Sequence, residues 1–156
     1  MSRINIIDGR NVLDEVVKLF AEYKQNLNVD VSFQPADETK DEILKHYDEP
    51  LGRIYIATVD DEAAGCIAFH SMEDKQNCEL KRLYVRPGFR GLHVGKMLIE
   101  CAIKEAKNLG YSAIYLDTLS TLKAACNLYD RLGFERIAPY YFNPLSDVCY
   151  YRLSLK

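Results

Sequence analysis

The segment best suited to do chemistry is Tyr84–Leu98, where an apolar strand pattern runs through a basic, glycine-bearing turn into an amphipathic helix pattern. The first backbone N–H groups of a helix have no partner within it, and the helix dipole adds partial positive charge there. A phosphate or pyrophosphate is a natural ligand for such a turn. Gly91 and Gly95 let the backbone approach the ligand, and Arg90 and Lys96 add charge. The alternative for a lone glycine-rich turn is an ordinary loop-to-helix junction.

The composition is typical of one globular domain. The chain has 156 residues, of which 48% are hydrophobic and 28% charged, and its formal net charge is −3. This charge, without a basic run, argues against broad binding to nucleic acid. No apolar segment approaches the ~20 residues of a membrane-spanning helix, and no signal-peptide pattern occurs at the start. We therefore expect one domain over residues 1–156, a cytoplasmic location, and no nucleic-acid or membrane partner; a homodimer is left open.

The cysteines and histidines do not predict a metal site. The five cysteines are odd in number, lack C-x2-C spacing and lie in apolar surroundings. This pattern is typical of small buried side chains in a reducing compartment. The three histidines, His46, His70 and His93, are widely separated. We expect no metal cofactor.

Hydrophobic periodicity predicts an alternation of strands and helices. Four helices are predicted. The first follows an apolar stripe that begins at Val12, and the second begins at Asp37–Glu38. The last two follow apolar stripes that end at Gly110 and Gly133. This order predicts a single mixed sheet with helices on both faces. The predicted strands are Ile4–Ile7, Ile54–Val59, Ala64–Phe69, Cys78–Val85, Ala113–Leu116, Phe134–Ile137 and Val148–Leu155.

Two motifs follow one another in a fixed order. Residues Arg90–Gly95 read R-G-L-H-V-G, and residues Ala125–Phe134 read A-C-N-L-Y-D-R-L-G-F, with a predicted helix and strand between them. They resemble the R/Q-x-x-G-x-G/A and A-x-x-L-Y-x-x-x-G-F signatures of the GNAT superfamily of acetyl-CoA-dependent N-acetyltransferases, and the element order fits over nearly the whole chain. The resemblance implies an α/β GNAT fold: a mixed, largely antiparallel central sheet with helices on both faces and a splayed central strand pair.

Two positions depart from the family pattern. His93 stands where the family usually has the first glycine of its pyrophosphate signature. We expect its φ to be negative, as in a first helical turn, which a side chain tolerates. Leu122 stands where many members carry an asparagine, so a polar contact that those members use is missing.

The resemblance implies that acetyl-CoA is the acetyl donor. Its pyrophosphate would lie at the turn, and its pantetheine arm would lie like an added strand against the backbone near Leu83 and Val85. The Val85 amide would then donate to the thioester oxygen as it becomes an oxyanion. The implied cofactor-binding residues are Leu83, Tyr84, Val85, Arg90, Gly91, Leu92, His93, Val94, Gly95, Lys96 and Tyr129.

Two side chains are implied as catalytic groups. An alkyl amine, with a pKa of about 10, must lose a proton to attack, and the leaving thiolate benefits from a proton donor. The resemblance implies Tyr129, the signature tyrosine, as the donor and Glu79, eleven residues before Arg90, as the base. For Tyr129 the alternative is a core aromatic. For Glu79 it is an ion pair with Lys81, which strand alternation places on the same side.

The acceptor region is less well defined by the sequence. Tyr140 and Tyr141 follow a predicted strand and either wall the acceptor pocket or cap the core. Arg82 either pairs with a substrate carboxylate, which would indicate an amino-acid-like amine, or serves cofactor or solvent. Gln34 precedes the second predicted helix, in the region that usually covers the acceptor in this fold.

The expected reaction is transfer of acetyl from acetyl-CoA to a primary amine of a small, amino-acid-like molecule, by direct attack through a tetrahedral intermediate. A protein or peptide acetyltransferase is the alternative within the enzyme class. A CoA-binding sensor module without catalysis is the alternative outside it.

Overall fold

The computed structural model describes residues 2–27, 29–47 and 50–156. They belong to two compact units. The first unit consists of Met1–His70 with Lys81–Ala102, and the second of Ser71–Leu80 with Ile103–Lys156.

Helices and strands alternate in the order that hydrophobic periodicity predicts. The strands are β1 (Ile4–Asp8), β2 (Arg53–Val59), β3 (Glu62–Ser71), β4 (Asn77–Val85), β5 (Ala113–Leu119), β6 (Glu135–Ile137) and β7 (Val148–Ser154). The helices are α1 (Leu13–Leu27), α2 (Lys40–His46), α3 (Val94–Asn108) and α4 (Lys123–Arg131), with short 3₁₀ turns at Gly9–Val12 and Pro87–Phe89.

The strands form a mixed sheet in the order β1-β2-β3-β4-β5-β7-β6. In the first unit β1 and β2 are antiparallel, as are β2 and β3. In the second unit β5 pairs with β7, and β7 with β6, in antiparallel fashion. The parallel ladder joins Asn77–Glu79 of β4 to Ala113–Tyr115 of β5. The predicted α/β architecture with a mixed, largely antiparallel sheet is confirmed.

Helix α2 begins later than predicted, because a capping box sets its first turn. The Thr39 hydroxyl accepts a hydrogen bond from the backbone N–H of Glu42 (3.2 Å), and the Glu42 carboxylate accepts one from the backbone N–H of Thr39 (3.1 Å). The helix therefore starts at Lys40. The predicted start at Asp37–Glu38 is wrong, since the Asp37 side chain is buried in a tertiary contact instead.

The core of the first unit joins α1 and α2 to the strands. The Phe20 and Tyr47 rings meet edge to face, with centroids 5.9 Å apart. Around them lie aliphatic side chains from both helices and from β2, together with Cys66 of β3. Burial of this cluster fixes the strands on which the candidate site is built. Its fully buried members are Val16, Leu19, Phe20, Ile43, Tyr47, Ile54, Ile56, Cys66 and Ala68.

Two further observations bear on the class of protein. Over the described residues, no helix combines the length and the apolar character that crossing a membrane requires. The same residues contain no group of three or more histidine, cysteine, aspartate or glutamate side chains arranged to hold a metal ion.

The backbones of β3 and β4 approach closely at Gly65. A Cβ atom at this position would lie 2.5 Å from the Tyr84 carbonyl oxygen and 3.3 Å from the Val85 Cα atom. Because both contacts are with backbone, no side-chain rotation relieves them. Gly65 is thus required for the position of the C-terminal end of β4.

We predict that Gly65→Ala lowers the free energy of unfolding by about 1–3 kcal/mol, because an added methyl group overpacks a site that cannot relax. Denaturant unfolding measures this value. Gly88→Ala is the matched control, since no heavy atom lies within 4 Å of a Cβ built there. Equal stability of the two variants would contradict the close approach.

Candidate active site

The predicted phosphate-binding turn is an exposed loop that leads into α3. Arg90, Gly91 and Lys96 are all exposed to solvent. Gly91 has a φ of +86°, and no heavy atom lies within 4 Å of where its Cβ would be. The Arg90 Nε donates to the Val85 carbonyl oxygen (3.2 Å), which ties the loop to the end of β4. The loop therefore offers two cations and an open backbone at a helix N-terminus, as an anion ligand requires.

His93 adopts a backbone conformation that the sequence analysis did not expect. Its φ is +63°, so the expected negative value is wrong. Gly91 and His93 are both left-handed, and between them they turn the chain into α3, whose ladder opens with the Met97 N–H donating to the His93 carbonyl (3.1 Å). A left-handed residue other than glycine costs roughly 1–2 kcal/mol. The glycine that the family usually has here adopts this positive φ without strain, whereas His93 adopts it at a cost in conformational energy.

Strand β4 also contains a left-handed residue. Arg82 has a φ of +62° in the middle of the strand, and its carbonyl oxygen accepts a hydrogen bond from the Cys66 thiol (3.2 Å). Such backbone strain costs about 1–3 kcal/mol and persists only where surrounding contacts fix it. It lies directly before Leu83–Val85, the segment predicted to bind the pantetheine arm.

A buried ion-pair network holds the Arg82 side chain. Its Nε lies 2.7 Å from Asp37 Oδ2, and its NH1 donates to the Gln34 side-chain oxygen (2.9 Å). Asp37 is fully buried, and its other oxygen lies 2.5 Å from the Lys24 ammonium. Burial disfavours the charged carboxylate, but Arg82 and Lys24 outweigh it and hold the pKa of Asp37 below its ordinary 3.8. Two of the predicted acceptor-site residues, Arg82 and Gln34, therefore bind each other.

The C-terminal end of β4 is also tied to α1. The Tyr84 hydroxyl accepts from the Asn26 amide (2.8 Å) and donates to the Glu22 carboxylate (3.3 Å). Arg86 forms a two-pronged ion pair with Glu22, with NH2 2.8 Å from Oε2 and Nε 3.0 Å from Oε1. These contacts fix the backbone on both sides of Val85.

In the second unit, Glu79 lies among aromatic side chains. Its Oε2 accepts a hydrogen bond from the Tyr140 hydroxyl (2.6 Å). Glu79 is opposite Tyr115 in the β4–β5 ladder, and the Tyr140 ring packs edge-on against Tyr115, with centroids 5.3 Å apart. Whether Glu79 also pairs with Lys81 stays a prediction. The structure thus brings together two of the predicted site residues, Glu79 and Tyr140.

The loop that carries Tyr140 and Tyr141 is anchored on β5. The Tyr141 hydroxyl and the Asn143 amide both donate to Asp117 Oδ2, at 2.5 and 3.1 Å. Burial and the Asp117 carboxylate raise the pKa of Tyr141 above its ordinary value. Sequence analysis missed Asp117, although strand alternation from Tyr115 would have placed it on the same face.

Tyr129 packs on the other face of the second unit's strands. Its ring lies 5.4 Å from Phe134 and 5.5 Å from Tyr151, centroid to centroid. Tyr140 instead packs against Tyr150, the preceding residue of β7. Since neighbouring residues of a strand point to opposite faces, Tyr129 and Tyr140 lie on opposite sides of the sheet. Tyr129 therefore packs in the core, as the alternative for this residue expected. The role of Tyr129 as proton donor stays a prediction.

Comparisons with known proteins agree on one family. A model described as the acetyltransferase (GNAT) family matches residues 13–134. An uncharacterized N-acetyltransferase of Schizosaccharomyces pombe is 40% identical over 144 residues, which cover 92% of this chain and 88% of that one.

Solved structures share the fold over almost the entire chain. An acetyltransferase of the GNAT family from Staphylococcus aureus Mu50 has a TM-score of 0.80 and 25% identity, covering 99% of this chain and 100% of that one. The protein yncA of Salmonella typhimurium, solved with its cofactor acetyl-CoA, has a TM-score of 0.75 over 99% of this chain and 94% of that one. Its 18% identity makes it a likeness of fold alone.

We predict that Asp37→Asn destabilises the protein by about 3–5 kcal/mol at neutral pH, because it leaves the buried Arg82 cation without its carboxylate. The pKa of Asp37 is lowered in the folded state, so its contribution is present above pH 3.8 and is lost as the pH falls below that value. The loss of stability on substitution should therefore shrink in acid. Denaturant unfolding at neutral pH and near pH 3 measures it.

Asp61→Asn is the control for this prediction, since it breaks the Arg3–Asp61 ion pair, whose side chains are 66% and 77% exposed. Exposed pairs contribute little to stability, so this variant should unfold like the wild type. If Asp37→Asn also unfolded like the wild type, the buried ion-pair network would contribute nothing to the free energy of unfolding.

Proposed function

This chain belongs to the GNAT family of acetyltransferases, and we propose that it transfers acetyl from acetyl-CoA to a primary amine of a small molecule. The observation that carries the proposal is the exposed turn at Arg90–Lys96. Its left-handed Gly91 and His93 lead into a helix N-terminus, and cations stand at both of its ends. Free backbone amides, helix dipole and side-chain charge all favour a bound pyrophosphate.

The residues of the first unit fit the rest of the cofactor. The backbone of Leu83–Val85 would bind the pantetheine arm in the manner of an added strand. Gly65 and the contacts that hold the left-handed Arg82 fix this backbone, so its donors are in place before a ligand arrives. We assign the Val85 amide to the thioester oxygen, where negative charge develops as the amine attacks. Acetyl-CoA supplies the activated acetyl group.

Two side chains, Glu79 and Tyr129, are the proton-transfer groups of the proposal. Glu79 takes a proton from the amine nitrogen as the C–N bond forms, and Tyr129 gives a proton to the sulfur as the C–S bond breaks. Glu79 is half-buried and hydrogen-bonded, so its carboxylate is held in place. The hydroxyl of Tyr129 belongs to a ring that its neighbours fix on two sides.

The surroundings of Glu79 support a small acceptor. Tyr140 and Tyr141 lie over the face of the sheet that carries Glu79, and Asp117 holds their loop down. A closely held loop restricts the approach of a folded protein more than that of a small amine. An amino-acid-like acceptor has less support, because the Arg82 guanidinium that was expected to bind its carboxylate already contacts Asp37 and Gln34.

We predict that the protein releases free thiol from acetyl-CoA when supplied with at least one member of a panel of polyamines, alkyl amines, aromatic amines and amino acids. Unstructured peptides with lysine or a free N-terminus complete the panel. Higher kcat/KM with a peptide would favour the protein-acetyltransferase alternative. Binding of acetyl-CoA without thiol release under any condition would favour the sensor alternative.

Thermal unfolding with acetyl-CoA provides the control for cofactor binding. A hundredfold excess over Kd should add roughly 2.7 kcal/mol of stability, which is a Tm shift of about 5–10 °C for a chain of this size. Gly95→Asp places a negative charge at the proposed pyrophosphate site and should abolish both the shift and thiol release. Gly88→Asp makes the same change at an exposed position outside the turn and should keep both.

We predict that Tyr129→Phe lowers kcat by ~10²–10⁴ while Tm and the Kd for acetyl-CoA stay close to wild type, because the ring and its packing are kept and the hydroxyl is lost. Tyr151→Phe, which removes a hydroxyl from the neighbouring ring of the same core, should retain kcat. Wild-type kcat in Tyr129→Phe would leave Tyr129 a core residue only.

A further inference from the structure

We propose that Tyr140 is a positioning residue for the acetyl transfer: its hydroxyl holds the Glu79 carboxylate through Oε2 and keeps it ionised, ready to take the amine proton. The inference rests on the proposed role of Glu79 as the base. It adds a role for Tyr140 to the two expected from the sequence, a wall of the acceptor pocket or a cap on the core.

The hydrogen bond between Tyr140 and Glu79 is short. Its oxygen–oxygen distance of 2.6 Å falls in the range of charge-assisted bonds from a hydroxyl to a carboxylate. A bond to an ionised acceptor is roughly twice as strong as one between neutral groups, and it fixes the direction of the acceptor as well as its charge.

Packing holds the Tyr140 ring on three sides. Its centroid lies 5.3 Å from Tyr115, 5.3 Å from Tyr141 and 5.6 Å from Tyr150. Tyr115 and Tyr150 belong to strands β5 and β7, so the ring rests on regular sheet and not on another loop. A ring held in this way presents its hydroxyl at one point, which is what positioning a base requires.

The direction of the hydrogen bond is fixed as well. Burial and the nearby Glu79 carboxylate raise the pKa of Tyr140 well above its ordinary value. The tyrosine therefore stays protonated over the whole working range and always donates. A donor that serves the charged form of a carboxylate favours that form over the protonated one.

The remaining groups around Glu79 belong to several elements. Asp117 of β5 acts electrostatically on both Tyr140 and Tyr141, and Arg152 of β7 donates to the Tyr115 hydroxyl (3.1 Å). Among the described residues, the titratable or charged groups on the elements packed against Glu79, or near it on its own strand, are Cys78, Lys81, Tyr115, Asp117, Tyr140, Tyr141, Tyr150 and Arg152.

The test is the pH dependence of kcat in Tyr140→Phe at a saturating concentration of the best acceptor of the amine panel, because kcat/KM would also report ionisation of the free amine. On the acidic limb of the profile, activity rises with pH because the base, Glu79, loses its proton. Removing the Tyr140 hydroxyl removes a hydrogen-bond donor to the ionised carboxylate, so the midpoint of this limb moves to higher pH. We expect a shift of about one pH unit, the equivalent of one charged hydrogen bond, with kcat reduced and Tm little changed. The pH midpoint at which the ¹³C resonance of the Glu79 side-chain carboxyl titrates should rise by the same amount in the absence of substrate.

Tyr141→Phe is the matched control. It removes a hydroxyl from the next residue of the same loop, but that hydroxyl donates its hydrogen bond to Asp117 and not to Glu79. The midpoint of its acidic limb should stay at the wild-type value, whatever its effect on KM. If both variants lower Tm equally and neither moves the midpoint, Tyr140 merely supports the loop and the proposal is wrong.

Glu79→Gln separates failure of this inference from failure of the base role. If Glu79 is the base, this variant loses the acidic limb, and adding Tyr140→Phe to it has no further effect on the profile. An acidic limb that survives in Glu79→Gln overturns the base role and, with it, the catalytic importance of Tyr140. If the acidic limb is lost in Glu79→Gln but its midpoint is unchanged in Tyr140→Phe, the positioning role of Tyr140 alone is overturned.

Discussion

The buried contact between Arg82 and Asp37 is the constraint on which the first unit depends. Asp37 is fully buried and Arg82 is 5% exposed, so both charges have left water and each needs the other. The contact anchors the side chain of a residue whose backbone is left-handed within a strand. The end of β4 that follows is held again by Tyr84 and by Arg86. A strained residue whose side chain is anchored, followed by a segment that is itself anchored, is a rigid way to aim the backbone groups of Leu83–Val85.

In the second unit, the sheet separates the two proposed proton-transfer groups. Glu79 lies on the face with Tyr140, and Tyr129 lies on the face with Tyr151. With the sheet between them, these two side chains do not hydrogen-bond to each other. The tyrosine that does contact Glu79 is Tyr140, from the loop between β6 and β7.

The sequence predicts the fold well, because apolar periodicity follows directly from burial. It predicts an exposed turn that leads into a helix at Arg90–Lys96, but not the conformation of that turn: a pattern of residue types does not reveal that the position of His93 requires a positive φ. The start of α2 was misplaced because Asp37 looks like a first-turn acid, while its partner Arg82 lies 45 residues away. The Tyr140–Glu79 pair was missed for the same reason, since a loop side chain such as Tyr140 finds its partner only in three dimensions.

The left-handed backbone at His93 also restricts how this position can change in evolution. Histidine, asparagine and aspartate are the side chains found most often at positive φ, whereas a β-branched residue is excluded. Glycine, which removes the strain, is more than one base change away from a histidine codon, and the intermediate codons encode aspartate or arginine. Aspartate would place a negative charge at the proposed pyrophosphate site, while arginine would add a positive one. A change from histidine to glycine at this position is therefore expected to pass through arginine.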